Sequence, residues 1–410
     1  MRPLVAVLHH SRSFFPLDLH QMVRDDFELL WAVNEETAAD VTMMRLLRKF
    51  GTVVEIGGLD FDQASAVLAE HRPEGIVSFV DDNVELAAQL AARLGLIYHS
   101  PEVAANLVDK RRQRMVLDDA GIPGPRFWTV PAGLSRAEVK EMADDITYPA
   151  VLKPAEGSGS RGIIRLSGPD DLVDTVEAEP GSDGYLVEEY LVDELHDRWF
   201  ASYFSVESVV SGGVISHAAI CGRFPLAEPF RETGNFVPGL LDPELEPEVF
   251  AMVEATTEAL GIRDAVVHTE IKLTPDGPRL IEINGRLGGR PPFVLMSVSS
   301  VNLFKAACAV AVGTPVRFDR PVACDGVGFW LMRQPPVSAR TVRSITGVAE
   351  VSELDGVDEV IVRRNAGSSV DWREGTDSLV ATVKGRRPDH AALAETVAAV
   401  NRLLTVDYTE

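Results

Sequence analysis

HTEIKLTPDGPRLIEINGRLGGR, residues 268–290, holds two alternating runs separated by a turn signal. Glu270 lies in the first run, VVHTEIKL, and Glu282, Asn284 and Arg286 follow at every second position of the next, LIEINGR. Between them Thr-Pro-Asp-Gly-Pro joins a proline that presets φ to a glycine that accepts positive φ. The pair predicts an antiparallel hairpin. Successive strand side chains point to opposite faces, so Glu282 and Asn284, with Arg286 in phase, share one face while Ile281 and Ile283 turn to the core. Aligning Glu270 with Glu282 brings both carboxylates to that face. Glutamates on a hairpin are ordinarily just a solvated surface. Asn284 argues otherwise, because asparagine is depleted in strands and here interrupts an apolar run. The Gly-Arg-Leu-Gly-Gly-Arg tail adds small residues that let a ligand approach the backbone, and arginines that suit an anion. Two carboxylates and an amide oxygen facing one spot are hard oxygen ligands, the kind that suits magnesium bound together with phosphates.

The chain of 410 residues exceeds one ordinary core and predicts roughly two to four domains. A composition of 46% hydrophobic and 25% charged residues describes a globular protein rather than a disordered or fibrous one. The net charge of −23 argues against a nucleic-acid partner, which requires basic surface to displace phosphate counterions, and against adsorption to anionic membranes. Cys221, Cys308 and Cys324 are too few and too scattered for a disulfide frame or a Cys-x-x-Cys metal site, which fits a reducing cytoplasm. The apolar run LVAVL ends at His9-His10, shorter than a signal-peptide core and without a cleavage pattern, and no later run reaches membrane-spanning length.

Residues 1–105 alternate strand and helix signals: LVAVLH, a helix over 20–30, LLWAV, a helix over 36–49, TVVEIG, a helix over 61–71, GIVSFV, a helix over 83–94, then LIYHS. This rhythm predicts an open parallel sheet with helices on both faces, whose ligands sit at the carboxyl ends of strands, near His9, His10 and Asp81-Asp82. The fold class is α/β with α+β character. Residues 106–315, with long antiparallel runs, and 316–410, a small C-terminal α+β domain, are expected to form two further units; the division of the first into two parts, with a smaller subdomain over about 118–187, is what the family resemblance given below implies. In the last, GVGFWLM, GVAEVSEL and VDEVIVRR read as strands and 388–404 as a helix.

Gly157-Ser-Gly-Ser-Arg-Gly162 formally matches the dinucleotide fingerprint, which needs a strand before it and a helix directly after. Here Pro154 intervenes and GIIRL follows as a strand, so the loop joins two antiparallel strands and suits folding over phosphates with backbone N–H groups as donors. Lys153, just before it, brings a positive charge to the same place. No G-x-x-x-x-G-K-[ST] sequence occurs. Glu188-Glu189-Tyr190-Leu191, with Glu194 beyond, can supply the backbone groups, apolar contact and carboxylate that an adenosine needs.

Lys110, Lys153 with its glycine loop, Glu188-Glu189-Tyr190-Leu191 with Glu194, and Glu270…Glu282-x-Asn284-x-Arg286 together resemble the ATP-grasp superfamily of carboxylate–amine ligases, across about residues 100–300. HTEIKL…LIEINGRLGG most resembles the L-amino acid ligases that make dipeptides. The match of Arg231-Glu-Thr-Gly-Asn235 to the subfamily's substrate loop is looser, since a histidine common there is absent and Asn235 stands near its place. The resemblance implies an ATP-grasp architecture in which Lys110 and Lys153 hold ATP phosphates under a lid that includes Gly157, Ser158, Gly159, Ser160 and Gly162. It also implies that Glu188, Glu189, Tyr190 and Leu191 frame the adenine and Glu194 the ribose. Glu270, Glu282 and Asn284 would carry Mg²⁺ or Mn²⁺, and Arg286 would act in catalysis beside Glu282 and Asn284.

The implied reaction is phosphorylation of an amino acid carboxylate by ATP, then displacement of phosphate by an amine, releasing ADP and phosphate with an amide bond of the dipeptide type. Arg223, Arg231, Glu232, Asn235 and Arg290 are the residues placed to recognise a substrate carboxylate or ammonium. An ATP-grasp carboxylase, a nucleotide-pathway ligase and a non-catalytic ATP-binding module are the alternatives. The two substrates are not encoded in any single run. Dimers are common in the superfamily, and the sequence leaves a homodimer open.

Overall fold

The computed structural model describes residues 2–178, 183–192, 199–318 and 322–410. Near the N-terminus, β1 (Leu4–His9), β2 (Glu28–Val33), β3 (Thr52–Glu55) and β4 (Gly75–Ser78) form a parallel sheet in the order β3-β2-β1-β4. Their near-continuous apolar runs are buried on both faces, as a parallel sheet covered by helices requires. The helix expected over 20–30 is Pro16–Val23, because β2 already begins at Glu28. That over 36–49 breaks into Glu35–Ala39 and Val41–Phe50, since the Asp40 side chain accepts from the N–H groups of Thr42 and Met43 and starts a new helix. The LIYHS strand does not form. Gly95, at φ 70°, ends the preceding helix, and Ser100 caps the next, Pro101–Val108, two features that leave no room for a strand between them. His99 instead places its Nε2 2.9 Å from the Gly285 carbonyl, tying this region to the quoted tail.

A small antiparallel sheet follows in the order β5-β8-β6-β7: β5 (Phe127–Val130), β6 (Ala150–Pro154), β7 (Ile164–Leu166) and β8 (Tyr185–Glu189). The glycine loop connects β6 to its antiparallel neighbour β7, as expected. Below it lies an eight-stranded sheet. Its strands are β9 (Tyr203–Ser211), β10 (Val214–Arg223), β11 (Gly234–Val237), β12 (Ala265–Thr274), β13 (Gly277–Asn284), β14 (Val327–Arg333), β16 (Val357–Val362) and β17 (Ala381–Arg387), in the order β13-β12-β9-β10-β11-β14-β17-β16. The β11–β14 pairing carries this sheet into the C-terminal region, where β15 (Thr341–Thr346) and β18 (Thr405–Thr409) form a separate pair. GVAEVSEL yields a short helix, Val348–Ser352, rather than a strand, because Gly347 at φ 82° turns the chain after β15.

The quoted hairpin is β12–β13. Glu270 pairs with Glu282 across it, and Pro275-Asp276 form the turn, with Gly277 at φ 99°. One bulge reconciles the two: Ile271 pairs with Leu280, leaving Ile281 extra. Ile281 consequently lines the cavity described below instead of the core, whereas Ile283 is fully buried as expected. Ile271, Leu273, Leu280 and Ile283 pack against Val249, Phe250 and Val253 of the helix Glu246–Ala259. Each such side chain contributes about 1.5–3 kcal/mol on burial, which makes the hairpin a rigid platform for the polar face opposite. Among the described residues, no single helix is long and apolar enough to cross a membrane.

Candidate active site

The small sheet, the large sheet and the carboxyl ends of the parallel strands enclose a cavity of about 1110 Å³. Asp109 caps the helix Lys110–Asp119, accepting from Arg111 N–H, and so fixes Lys110 at its first turn. The Lys110 Nζ lies 2.7 Å from the Gly157 carbonyl and 3.8 Å from Glu282 Oε2, between loop and hairpin. Lys153, on β6, is buried and holds Glu188 Oε2 at 2.6 Å. Glu188 Oε1 in turn accepts from Arg114 Nε at 2.8 Å.

Glu188 lines the cavity, and these contacts commit its carboxylate to two cations. Burial alone would raise its carboxyl, but Arg114 and Lys153 outweigh that and hold it below the usual range, a carboxylate engaged in positioning Lys153. Glu189 also lines the cavity, and its carboxylate accepts from the Arg126 N–H at 3.2 Å. Tyr190 and Leu191 line the cavity, Tyr190 with the Arg165 guanidinium 4.5 Å and Lys272 Nζ 5.5 Å from its ring centre. Glu194 lies outside the described residues.

Gly157, Ser158, Gly159 and Ser160 line the cavity, with left-handed φ of 68° at Gly159 and 59° at Ser160 turning the loop over it. Gly162 does not line it; a Cβ there would meet Pro154 Cγ at 2.8 Å, so this glycine serves the turn. The C-terminal segment Trp372–Ser378 grips the loop. Thr376 N–H donates to the Gly159 carbonyl at 2.8 Å, and Arg161 Nη1 lies 3.9 Å from Asp377 Oδ2.

On the hairpin, Glu270, Glu282, Asn284 and Arg286 all line the cavity. Asn284 Nδ2 donates to Glu282 Oε1 at 3.2 Å and Arg286 Nη2 donates to Asn284 Oδ1 at 3.3 Å. Burial would raise the Glu282 carboxyl, but Lys110, Lys153, Asn284 and Arg286 together bring it down to about 2. Arg286 is anchored from the N-terminal sheet, its Nε donating to Asp81 Oδ1 at 2.9 Å and its Nη2 to Oδ2 at 2.5 Å. Asp81 and Asp82 thus reach the cavity as expected of strand ends, whereas His9 is buried against Trp31 and does not line it.

The contacts of Glu270 fall on one oxygen: Oε1 lies 3.2 Å from His268 Nε2 and 3.4 Å from Arg223 Nη2. His268 Nδ1 is 2.6 Å from Glu207 Oε1, and Glu207 is fully buried on β9. Burial disfavours a charged ring, but Glu207 and then Glu270 outweigh it and carry the imidazole up to about 9. His268 and Glu207 are site residues that sequence reasoning missed. For His268 a signal existed, since it stands two positions before Glu270 on the same strand face. Glu207 is visible only through the β9–β12 register, which sets it opposite His268. No group of three or more His, Cys, Asp or Glu converges on a metal site among the described residues. The donor set still fits a divalent ion shared with a nucleotide, because Glu282 stays anionic and Glu270 keeps Oε2 clear of these contacts. Phosphate oxygens and water would complete the shell.

Of the expected substrate residues, Arg223, Glu232 and Arg290 line the cavity. Arg231 and Asn235 do not. The Arg231 guanidinium faces away, donating to the carbonyls of Glu228 at 2.8 Å and Pro335 at 2.7 Å and to Ser378 Oγ at 3.1 Å, which makes it a structural tie. Asn235 is fully buried within the large sheet, paired with Arg223 on one side and Trp330 on the other. Trp372, Thr376 and Asp377, which carry no sequence motif, also form part of the wall.

A lid sheet and a base sheet gripping one cavity, behind an N-terminal parallel sheet, constitute the ATP-grasp fold. Residues 146–291 match the ATP-grasp domain family. Across its whole length the chain superimposes on an L-amino acid ligase from Bacillus licheniformis with a TM-score of 0.78, at 17% identity and covering 99% of that structure. Carnosine synthase 1 of Mus musculus is 30% identical over 58% of this chain and 31% of its own length. Alanine–anticapsin ligase of Bacillus subtilis is 26% identical over 49% of this chain and 46% of its own. An uncharacterized Sinorhizobium fredii protein, y4rH, is 27% identical over 63% of this chain and 55% of its own. The chain thus spans about half or less of the length of the curated relatives it matches.

Proposed function

We propose that this protein is an ATP-dependent carboxylate–amine ligase that joins an amino acid carboxylate to an amine through an acyl phosphate, releasing ADP and phosphate. The observation that carries the reading is the convergence of Lys110, Lys153 and the 157–160 loop on Glu270, Glu282, Asn284 and Arg286 in one cavity. The likeness to L-amino acid ligases and the relatives named above support the same class.

A carboxylate is a poor acyl donor because its leaving oxygen is poor, and phosphorylation removes that obstacle. Lys110 and Lys153 would hold the phosphates in line with the incoming carboxylate, Lys153 kept in place by Glu188. Arg286, fixed by Asp81, would stabilise the transferring phosphoryl group and then the oxyanion formed as the amine attacks. Mg²⁺ or Mn²⁺ held by Glu270, Glu282 and Asn284 would supply charge neutralisation at the phosphates. The glycine loop, gripped by Thr376, would exclude water that otherwise hydrolyses the acyl phosphate. Tyr190 and Leu191 would border the adenine. We further assign the protein to a reducing cytoplasm, in keeping with its three free cysteines.

Purified protein incubated with ATP, Mg²⁺ and mixed amino acids is expected to release ADP and phosphate with an amide product. Release of AMP and pyrophosphate would rule out the acyl phosphate route. Turnover that depends on bicarbonate instead of an amine would favour a carboxylase.

A further inference from the structure

We propose that His268, braced by Glu207, is a positioning residue that holds Glu270 by one carboxylate oxygen and keeps the other available to a divalent ion. The inference rests on the nucleotide and metal reading above and goes further by assigning a role to a buried pair outside the ligand set.

The strand registers put these groups in one row. Glu207 on β9 stands opposite His268 on β12, and Ser205 stands opposite Glu270. His268 and Glu270 are two positions apart, so both point to the face that carries Asn284 and Glu282, their partners on β13. Within the row, Ser205 Oγ donates to Glu207 Oε1 at 2.8 Å. His268 Nδ1 donates to the same oxygen at 2.6 Å, and Nε2 donates to Glu270 Oε1 at 3.2 Å. A carboxylate has no hydrogen to give, so the ring supplies both.

As a device for stability alone, Glu207 is a poor choice. It is fully buried, and among the described residues its Oε2 has no partner. A buried ion pair is often no better for stability than apolar residues of the same volume, and a half-matched one leaves a desolvated oxygen besides. The pair makes sense as a brace. With Nδ1 pinned from behind, the ring cannot swing, and Nε2 has a single direction in which to donate. Groups that hold the ligands of a metal in this way are a regular part of metal sites.

Arg223 also reaches Glu270 Oε1, its Nη2 lying 3.4 Å from that oxygen and 3.2 Å from His268 Nε2. It cannot fix the carboxylate by itself, because Nη2 is shared with Ser205 Oγ at 3.4 Å and Nη1 lies 3.6 Å from Glu232 Oε1. Glu270 lines the cavity across the hairpin from Glu282. With Oε1 approached by two donors, Oε2 is the oxygen left for a ligand there.

The test measures Mn²⁺ binding to the full chain in the presence of ADP, from the loss of the free-ion signal in electron paramagnetic resonance, alongside the thermal midpoint. Two variants separate aim from stability. His268→Gln sets an amide nitrogen about where Nε2 stands, so it can still donate to Glu270 but gives up Glu207. His268→Asn sets one near the place of Nδ1, so it keeps the Glu207 contact and gives up Glu270. His268→Asn is expected to loosen Mn²⁺ by about 10–100-fold, the range for losing a group that orients a metal ligand. His268→Gln should stay closer to the wild type, although its thermal midpoint is the lower of the two. Wild-type Mn²⁺ affinity in His268→Asn, equal affinity in the two variants, or an order of affinity that follows the thermal midpoint would overturn the proposal. Absence of Mn²⁺ binding by the wild type with ADP would instead refute the nucleotide and metal reading itself.

Discussion

A carboxylate as enclosed as Glu282 remains an anion only because Lys110, Lys153, Asn284 and Arg286 surround it. Neutralising it by mutation removes the charge that these four side chains face. Glu282→Ala is expected to lower turnover by about 10³-fold or more, with circular dichroism unchanged, since only polar contacts at the cavity edge are lost. A rate near wild type would remove the metal site from the mechanism. His268 gives a pH signature. Its folded pKa, about 9, lies above the ordinary value of 6.5, so its ion pairing with Glu207 stabilises the fold fully below pH 6.5 and is lost as pH rises through about 9. The difference in thermal midpoint between wild type and His268→Asn should therefore shrink from pH 6.5 to pH 9.5, a window corresponding to about 3 kcal/mol at most. A constant difference would show that the pairing of the ring does not titrate between these pH values.

Hairpins and loops were the parts of this molecule most open to sequence reading. The β12–β13 register followed from a period of two and a Pro-Asp-Gly turn, both local properties. The glycine loop was readable for the same reason, because strand signals flank it on both sides. What stayed hidden depends on distant partners. Arg231 stands in a motif-like run, yet the carbonyl of Pro335 and the hydroxyl of Ser378 claim it. Glu188 stands in the run assigned to the adenine, yet Arg114, from a helix 74 positions away, holds its carboxylate. The catch on the lid was equally unreadable, since Trp372–Ser378 has no pattern of its own. Gly375 adopts φ 65° there, and a Cβ on it would meet the Gly159 carbonyl at 2.1 Å. Gly375→Ala is thus expected to push the loop off its catch. The KM for ATP should rise several-fold, ATP hydrolysis without amide product should increase, and trypsin should cut faster at Arg161. Unchanged coupling of ATP use to amide formation would argue that the contact is incidental.

At the scale of the whole molecule, the arginine to which we assign the phosphoryl group is held by another part of the chain. Asp81 belongs to the N-terminal parallel sheet and Arg286 to the hairpin, 205 residues later. Asp81→Ala would leave a buried guanidinium without its counter-charge, a loss of about 3–5 kcal/mol in comparable buried pairs. A fall of several degrees in the thermal midpoint is expected, with a larger fall in kcat than in ATP affinity. A purely thermal effect with kcat intact would confine Asp81 to folding.

The grip of Trp372–Ser378 on the glycine loop also bears on how such a protein can diversify. The segment 146–291 that matches the ATP-grasp domain family carries the loop and the hairpin, but not Asp81, which holds Arg286, nor Thr376, which holds the glycine loop. Transplanted alone, it would lack Lys110 as well as both of these supports. The corner where Arg290 lies over the Trp330 ring is different, because none of the contacts of Arg286 passes through it. Residues of that corner could change in a lineage while every contact that holds Arg286 stays in place.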